Sequence, residues 1–88
     1  QETWSHTLQD ILDLFDKVKE SSFPKFYWQW ALFLQEMGRS SGEPSDYYQA
    51  IQKYKLAIKC GGFSSALYFD YAVALADLGA LLQEMSLI

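Results

Sequence analysis

Residues 26–38 read FYWQWALFLQEMG, and 41 positions further on, residues 67–79 read LYFDYAVALADLG. The first segment has five aromatic residues in thirteen and a single charge, Glu36. In register, Tyr27 falls on Tyr68, Trp30-Ala31 on Tyr71-Ala72, Leu34 on Leu75 and Gly38 on Gly79. The polar exceptions recur as well, Gln29 with Asp70 and Glu36 with Asp77. On a helix turning roughly 100° per residue, Tyr27, Ala31 and Leu34 share one face. Gln29 and Glu36 lie on a narrow arc opposite, with Lys25 at its edge. Trp28 and Leu32 form a separate stripe beside Gln35, and Phe26, Trp30, Phe33 and Met37 fill the remaining side. A helix apolar around most of its circumference is one enclosed by other helices. The longest unbroken apolar run in the first segment, Trp30 to Leu34, is far below the roughly 20 residues a bilayer span needs. These segments therefore read as packed helices.

Working outward, Trp4, Leu8, Ile11, Leu12, Phe15 and Val18 recur at helical spacing and predict a first helix over 4–20. Asp13 and Lys17 pair on its outer side. Ser21-Ser22-Phe23-Pro24 ends it, because proline disfavours helical geometry in the residue before it. Pro24 can then open a second helix over 24–37. Gly38 is expected to close that helix, with the stretch from Arg39 to Ser45 as a mobile surface loop. Ser45 is the expected N-cap of a third helix over 46–60, with Asp46 in its first turn and Lys59 in its last, as the helix dipole favours. Gly61-Gly62 stops it. Ser64 or Ser65 caps a fourth helix over 65–78, ending at Gly79 ahead of a tail over 80–88. Ile11 with Ile51, Leu14 with Tyr54 and Val18 with Ile58 give a looser correspondence at about 40 residues. No alternating β-pattern is present, so the chain is predicted to be all-α, a single domain of four helices over 1–88. A fixed period of about 41 residues points to a stacked helical array.

These residues resemble the tetratricopeptide repeat (TPR) family. Its first helix carries aromatic-x2-Leu-small-x2-Tyr followed by glycine, and its second carries Ala-x3-aromatic-x2-Ala. Tyr68-x2-Tyr71-Ala72-x2-Leu75 with Gly79 fits the first pattern, and Ala50-x3-Tyr54-x2-Ala57 fits the second. The resemblance implies antiparallel helix pairs stacked as a short right-handed α-solenoid, read here as helix B, a full A–B pair, then helix A. Ala31, Ala50, Ala57 and Ala72 would be its small-residue seam. The usual period is about 34 residues, and the surplus falls in Arg39–Ser45. Gly61-Gly62 stands where a proline is usual, and Asp10 and Lys17 stand where small residues are. "LYFDYAVAL" also resembles the half-a-TPR helices of RNA-processing scaffolds, with Leu34 and Leu75 where those usually carry glutamate.

The family resemblance implies a protein-binding scaffold whose concave groove is lined by Lys25, Trp28, Leu32, Gln35 and Glu36, then by Ala66, Phe69, Val73, Ala76 and Asp77. Members that clamp a carboxylate present Lys, Asn and Arg there. Trp, Leu, Phe and Val favour instead an apolar segment or amphipathic helix as partner. Two alternatives are that a missing neighbouring helix of the same chain covers this stripe, or that a second copy buries it, which would make the domain a self-association module.

Composition narrows the other classes. The chain has 88 residues, 50% apolar and 17% aromatic, at a size that buries only about 60% of its extended surface. Apolar surface is thus expected to need a cover, and the chain reads as a piece of a longer array. If helix 4 lacks its own partner, a side bearing Tyr68, Ala72 and Leu75 stays open, and a homodimer through helix 4 and the tail is one way to close it. A net charge of −4 with only 7 basic residues disfavours nucleic acid. Lys53, Lys55 and Lys59 read as a solvated face. Cys60 is the only cysteine and His6 the only histidine, so no disulfide, metal or cofactor site is expected. Cys60 ends a helix, where the dipole opposes thiolate formation. Asp70 and Asp77 read as a groove rim. No enzyme is expected, and with no targeting motif or membrane segment in view the default location is cytoplasmic.

Overall fold

Pro24 stands at the start of a helix that passes through Gly38 without a break. The computed structural model describes residues 4–17, 24–62 and 64–86. It is all-α, with α1 at Trp4–Lys17, α2 at Pro24–Ser41, α3 at Pro44–Lys59 and α4 at Ser65–Ser86, packed compactly. The side chains of Trp4, His6, Phe15 and Val18 and the break over 21–23 lie outside the described residues, as does the end of the tail at 87–88.

Three boundaries differ from the sequence expectation. Gly38 does not end α2; the next glycine, Gly42, does so, with a left-handed φ of 70° and its N–H bonded 2.9 Å to the Gly38 carbonyl. Such a cap suits glycine because no Cβ opposes that backbone. The expected loop therefore shrinks to Gly42-Glu43. Ser45 is not the cap of α3. Glu43 occupies that position with φ −96° and ψ 119°, and Pro44 takes the first helical position, where a missing N–H costs nothing. Ser41 Oγ accepts the Glu43 N–H at 3.1 Å and donates to Asp46 at 2.7 Å, tying the two helices across the turn. The third correction is at Gly79, where α4 continues for seven more residues, so the tail over 80–86 is helix. Ser64 does cap α4, its Oγ accepting the Ala66 N–H at 3.1 Å.

Gly38 has a packing role instead. A Cβ there would meet the Tyr47 ring at 2.9 Å, so the glycine lets the first turn of α3 lie against the end of α2. The contacts Gly38–Tyr47, Gln35–Tyr54 and Trp30–Lys53 run in opposite senses along the two helices, making α2 and α3 antiparallel. The main cluster is Tyr27, Trp30, Ala31 and Leu34 of α2, Ala50, Tyr54 and Ala57 of α3, and Leu67 and Ala74 of α4. Leu12 of α1 packs on its edge. Tyr47, Ile51 and Leu78 form a smaller second cluster. Trp30 stacks with Tyr27 at 6.5 Å and carries the Lys53 ammonium 3.8 Å above its ring, so Lys53 is not on a purely solvated face. Tyr54 stacks on Tyr71 at 5.5 Å, joining α3 to α4.

Ala31, Ala50 and Ala57 are fully buried, but Ala72 is exposed. The small buried residue of α4 is Ala74, because this helix turns Leu67, Ala74 and Leu78 inward and leaves Tyr68, Ala72 and Leu75 outside. Gly79 shares that open side, with nothing within 4 Å of where its Cβ would be. Gly79→Ala should therefore stabilise the isolated chain by about 0.5–1 kcal/mol, the ordinary gain for a helix interior. Gly38→Ala should not gain this, since the gain is offset by displacement of the buried Tyr47 ring. Equal shifts in the two urea midpoints would contradict the packing at Gly38.

Candidate partner-binding site

Helices α2 and α4 run parallel, and a ladder of polar side chains joins them. Trp28 Nε1 donates to Asp70 Oδ2 at 2.9 Å, and Gln35 Nε2 donates to Asp77 Oδ2 at 3.3 Å. Both rungs link positions 42 apart, and the rungs are seven residues, two turns, apart on each helix. Arg39 closes the upper end, with Nη2 2.9 Å from Asp77 Oδ2 and Nη1 paired with Glu36. Behind the ladder, the buried Tyr54 hydroxyl donates to Gln35 Oε1 at 2.6 Å. No buried side-chain nitrogen or oxygen among the described residues lacks a hydrogen-bond partner. The helix offset is thus fixed by polar pairing as well as by apolar contact.

The groove residues expected from the sequence divide between this seam and the surface. Trp28 and Asp77 are half-buried in the seam. Gln35 is 3% exposed and fully engaged, so it positions α4 and is not reachable by a ligand. Lys25 and Glu36 are exposed on α2, Leu32 and Val73 are half-buried, and Phe69 is 67% exposed. Lys25, Leu32, Phe69 and Val73 thus remain as surface for contact, as does Glu36, whose carboxylate pairs with Arg39.

Phe69 belongs to one of two open apolar strips on α4. Counting about 100° per residue, Ala66, Phe69, Val73, Ala76 and Ala80 follow one line. Tyr68, Ala72, Leu75, Gly79 and Leu82 follow another, roughly 100° away. By length and composition alone, Ser65–Ser86 is also apolar enough to cross a membrane, but its Asp70 and Asp77 are tied to α2.

Sequence reasoning missed a cleft of about 460 Å³ with Leu8, Phe33 and Met37 on its apolar side and Glu36, Ser40 and Asp46 on its polar side. It exists because α2 continues past Gly38, which placed its upper wall in the region read as loop. No group of three His, Cys, Asp or Glu able to hold a metal ion occurs among the described residues.

Burial and the nearby charges of Asp70 and Asp77 push the Tyr54 phenol well above the ordinary tyrosine range, with Arg39 partly opposing. Tyr47 is raised for the same first reason, burial. A folded-state pKa above the unfolded value of about 10 stabilises the protein fully below that pH, and the contribution is lost as pH climbs above it. Stability should therefore fall above about pH 10, by at most about 1.4 kcal/mol per pH unit for each such tyrosine. Tyr54→Phe should flatten the slope; an unchanged profile would show that Tyr54 ionises freely in the fold.

Neither a family model, nor a curated protein, nor a solved structure matches this chain.

Proposed function

We propose that this domain is a non-enzymatic protein-interaction scaffold, built of TPR-like stacked helix pairs, that takes an apolar amphipathic helix along the α2–α4 side. The observation that carries the proposal is the apolar strip left open on α4 beside its seam with α2. Phe69 is 67% exposed, Ala66, Ala76 and Ala80 on the same line are exposed, and Val73 is half-buried. The net charge of −4 favours a partner helix with basic flanks, since opposite charge speeds encounter.

The contact residues on this side are Lys25, Leu32, Phe69 and Val73, with Trp28 held in place by Asp70. Titration with a panel of labelled amphipathic helical peptides tests the reading. Phe69→Asp should weaken binding by about tenfold or more and leave the melting midpoint in place, because the ring is mostly in solvent. Unaltered binding by that variant, or no binding by any apolar peptide, would overturn the proposal.

A further inference from the structure

The second open strip of α4 repeats, at a spacing of 41 residues, the strip of α2 that receives α3. Tyr27, Ala31, Leu34 and Gly38 are all buried, while Tyr68, Ala72, Leu75 and Gly79 are all exposed. The two glycines sharpen the comparison. A glycine in a helix interior weakens the helix relative to alanine, so it needs a reason. At Gly38 the reason is visible, since the Tyr47 ring sits where a Cβ would be, at 2.9 Å. At Gly79 nothing lies within 4 Å, and no described residue gives the same compromise a return.

We infer that the Tyr68–Gly79 strip is a docking face for a helix of α3 type, arriving antiparallel to α4 and placing an aromatic ring over Gly79. The occupant is specified by what fills the equivalent strip. Tyr47, Ala50, Tyr54 and Ala57 are buried on α3 with the α2 strip, which gives aromatic-x2-Ala-x3-aromatic-x2-Ala, while Ile51 clusters with Leu78 of α4. The Tyr47 ring fills the depression at Gly38, and the small alanines allow the backbones to approach. A second copy cannot supply this helix from its own fold, because its α3 is already buried against its α2. The occupant is therefore a helix from outside residues 1–88 with that pattern. This face lies roughly 100° around α4 from Phe69 and Val73, so it stands whether or not the first groove holds a peptide.

The chain itself supplies the probe. A fluorescein-labelled peptide of Glu43–Lys59, the α3 sequence, is titrated with the 88-residue protein and followed by anisotropy. Saturable one-to-one binding to a monomer is expected, and a scrambled peptide should not bind. Leu75→Asp places a charge in the strip and Gly79→Leu fills the aromatic slot. Each should weaken binding by about tenfold or more without unfolding the protein, and Gly79→Leu should raise the melting midpoint slightly, as Gly79→Ala does, because leucine is the better helix former at an open position. Tyr47→Ala in the peptide should weaken it similarly, and Phe69→Asp in the protein should leave it unchanged. Absence of binding, or binding indifferent to Gly79→Leu, would overturn the inference. So would a dimer in sedimentation that Leu75→Asp dissolves and the peptide does not, which would make a second copy the occupant.

Discussion

Leu34→Ala is expected to destabilise the folded chain by about 2–5 kcal/mol, and Leu75→Ala by no more than about 0.5 kcal/mol. The two leucines are 41 residues apart in matching sequence contexts, so local propensity predicts similar effects for both. Tertiary packing separates them. Leu34 is 1% exposed in the main cluster, whereas Leu75 is 47% exposed. Truncating Leu34 loses the transfer free energy of its buried methyl groups and leaves a cavity that a close-packed alanine seam cannot collapse to fill. Truncating Leu75 removes a side chain about half in solvent with room to relax, and alanine is the better helix former. Urea unfolding of both variants reads the difference directly. A native ensemble of this size has only about 5–15 kcal/mol to lose, so Leu34→Ala should also show a clearly lower midpoint. Comparable losses at the two positions would mean that α4 buries its Tyr68–Gly79 side.

Gln35→Leu should cost about 1–3 kcal/mol although it adds apolar surface to a buried position. The loss comes from Tyr54, whose hydroxyl donates to Gln35 Oε1 in a fully buried setting. Removing that acceptor leaves a desolvated O–H with no partner. Asp77 keeps Arg39 as its donor, so the carboxylate is not stranded and adds little. Removing both polar groups should then be nearly neutral, and the double variant Gln35→Leu/Tyr54→Phe should recover most of the stability. A double variant as unstable as the sum of the singles would show that the two side chains act independently, and that the ladder does not run through Tyr54.

Much of the helix layout was legible because it depends on short-range signals. Pro24, Ser64 and the Gly61-Gly62 stop mark boundaries by backbone chemistry alone. The face Tyr27–Ala31–Leu34 followed from helical periodicity and is buried as expected. The corrections have separate causes. A glycine in a helix interior need not stop the helix, and at Gly38 it serves the approach of Tyr47. Pro44 starts α3 at its first position, which moves the cap from Ser45 to Glu43. The resemblance puts Ala72 at a helix crossing like Ala31, but a crossing needs a second helix, and among the described residues none lies against that side of α4. At the candidate site, Lys25, Leu32, Phe69 and Val73 come from the family resemblance, and the structure leaves them exposed or half-buried. The burial of Gln35 could not, because it depends on Tyr54 and Asp77 from two other helices. The spacing of 42 residues in both rungs of the ladder was present in the sequence, one residue off the repeat. Only the structure shows that a parallel α2–α4 contact pairs those positions.

The central claim is that α4 carries an open counterpart of the strip with which α2 holds α3. The most direct measurement is amide and methyl chemical-shift mapping of the labelled protein during titration with the Glu43–Lys59 peptide. The account predicts saturable shifts at Tyr68, Ala72, Leu75 and Gly79, with Phe69, Val73 and the buried Leu34 and Gly38 left in place. Shifts centred on Phe69 and Val73, or none at all at saturating peptide, would contradict it.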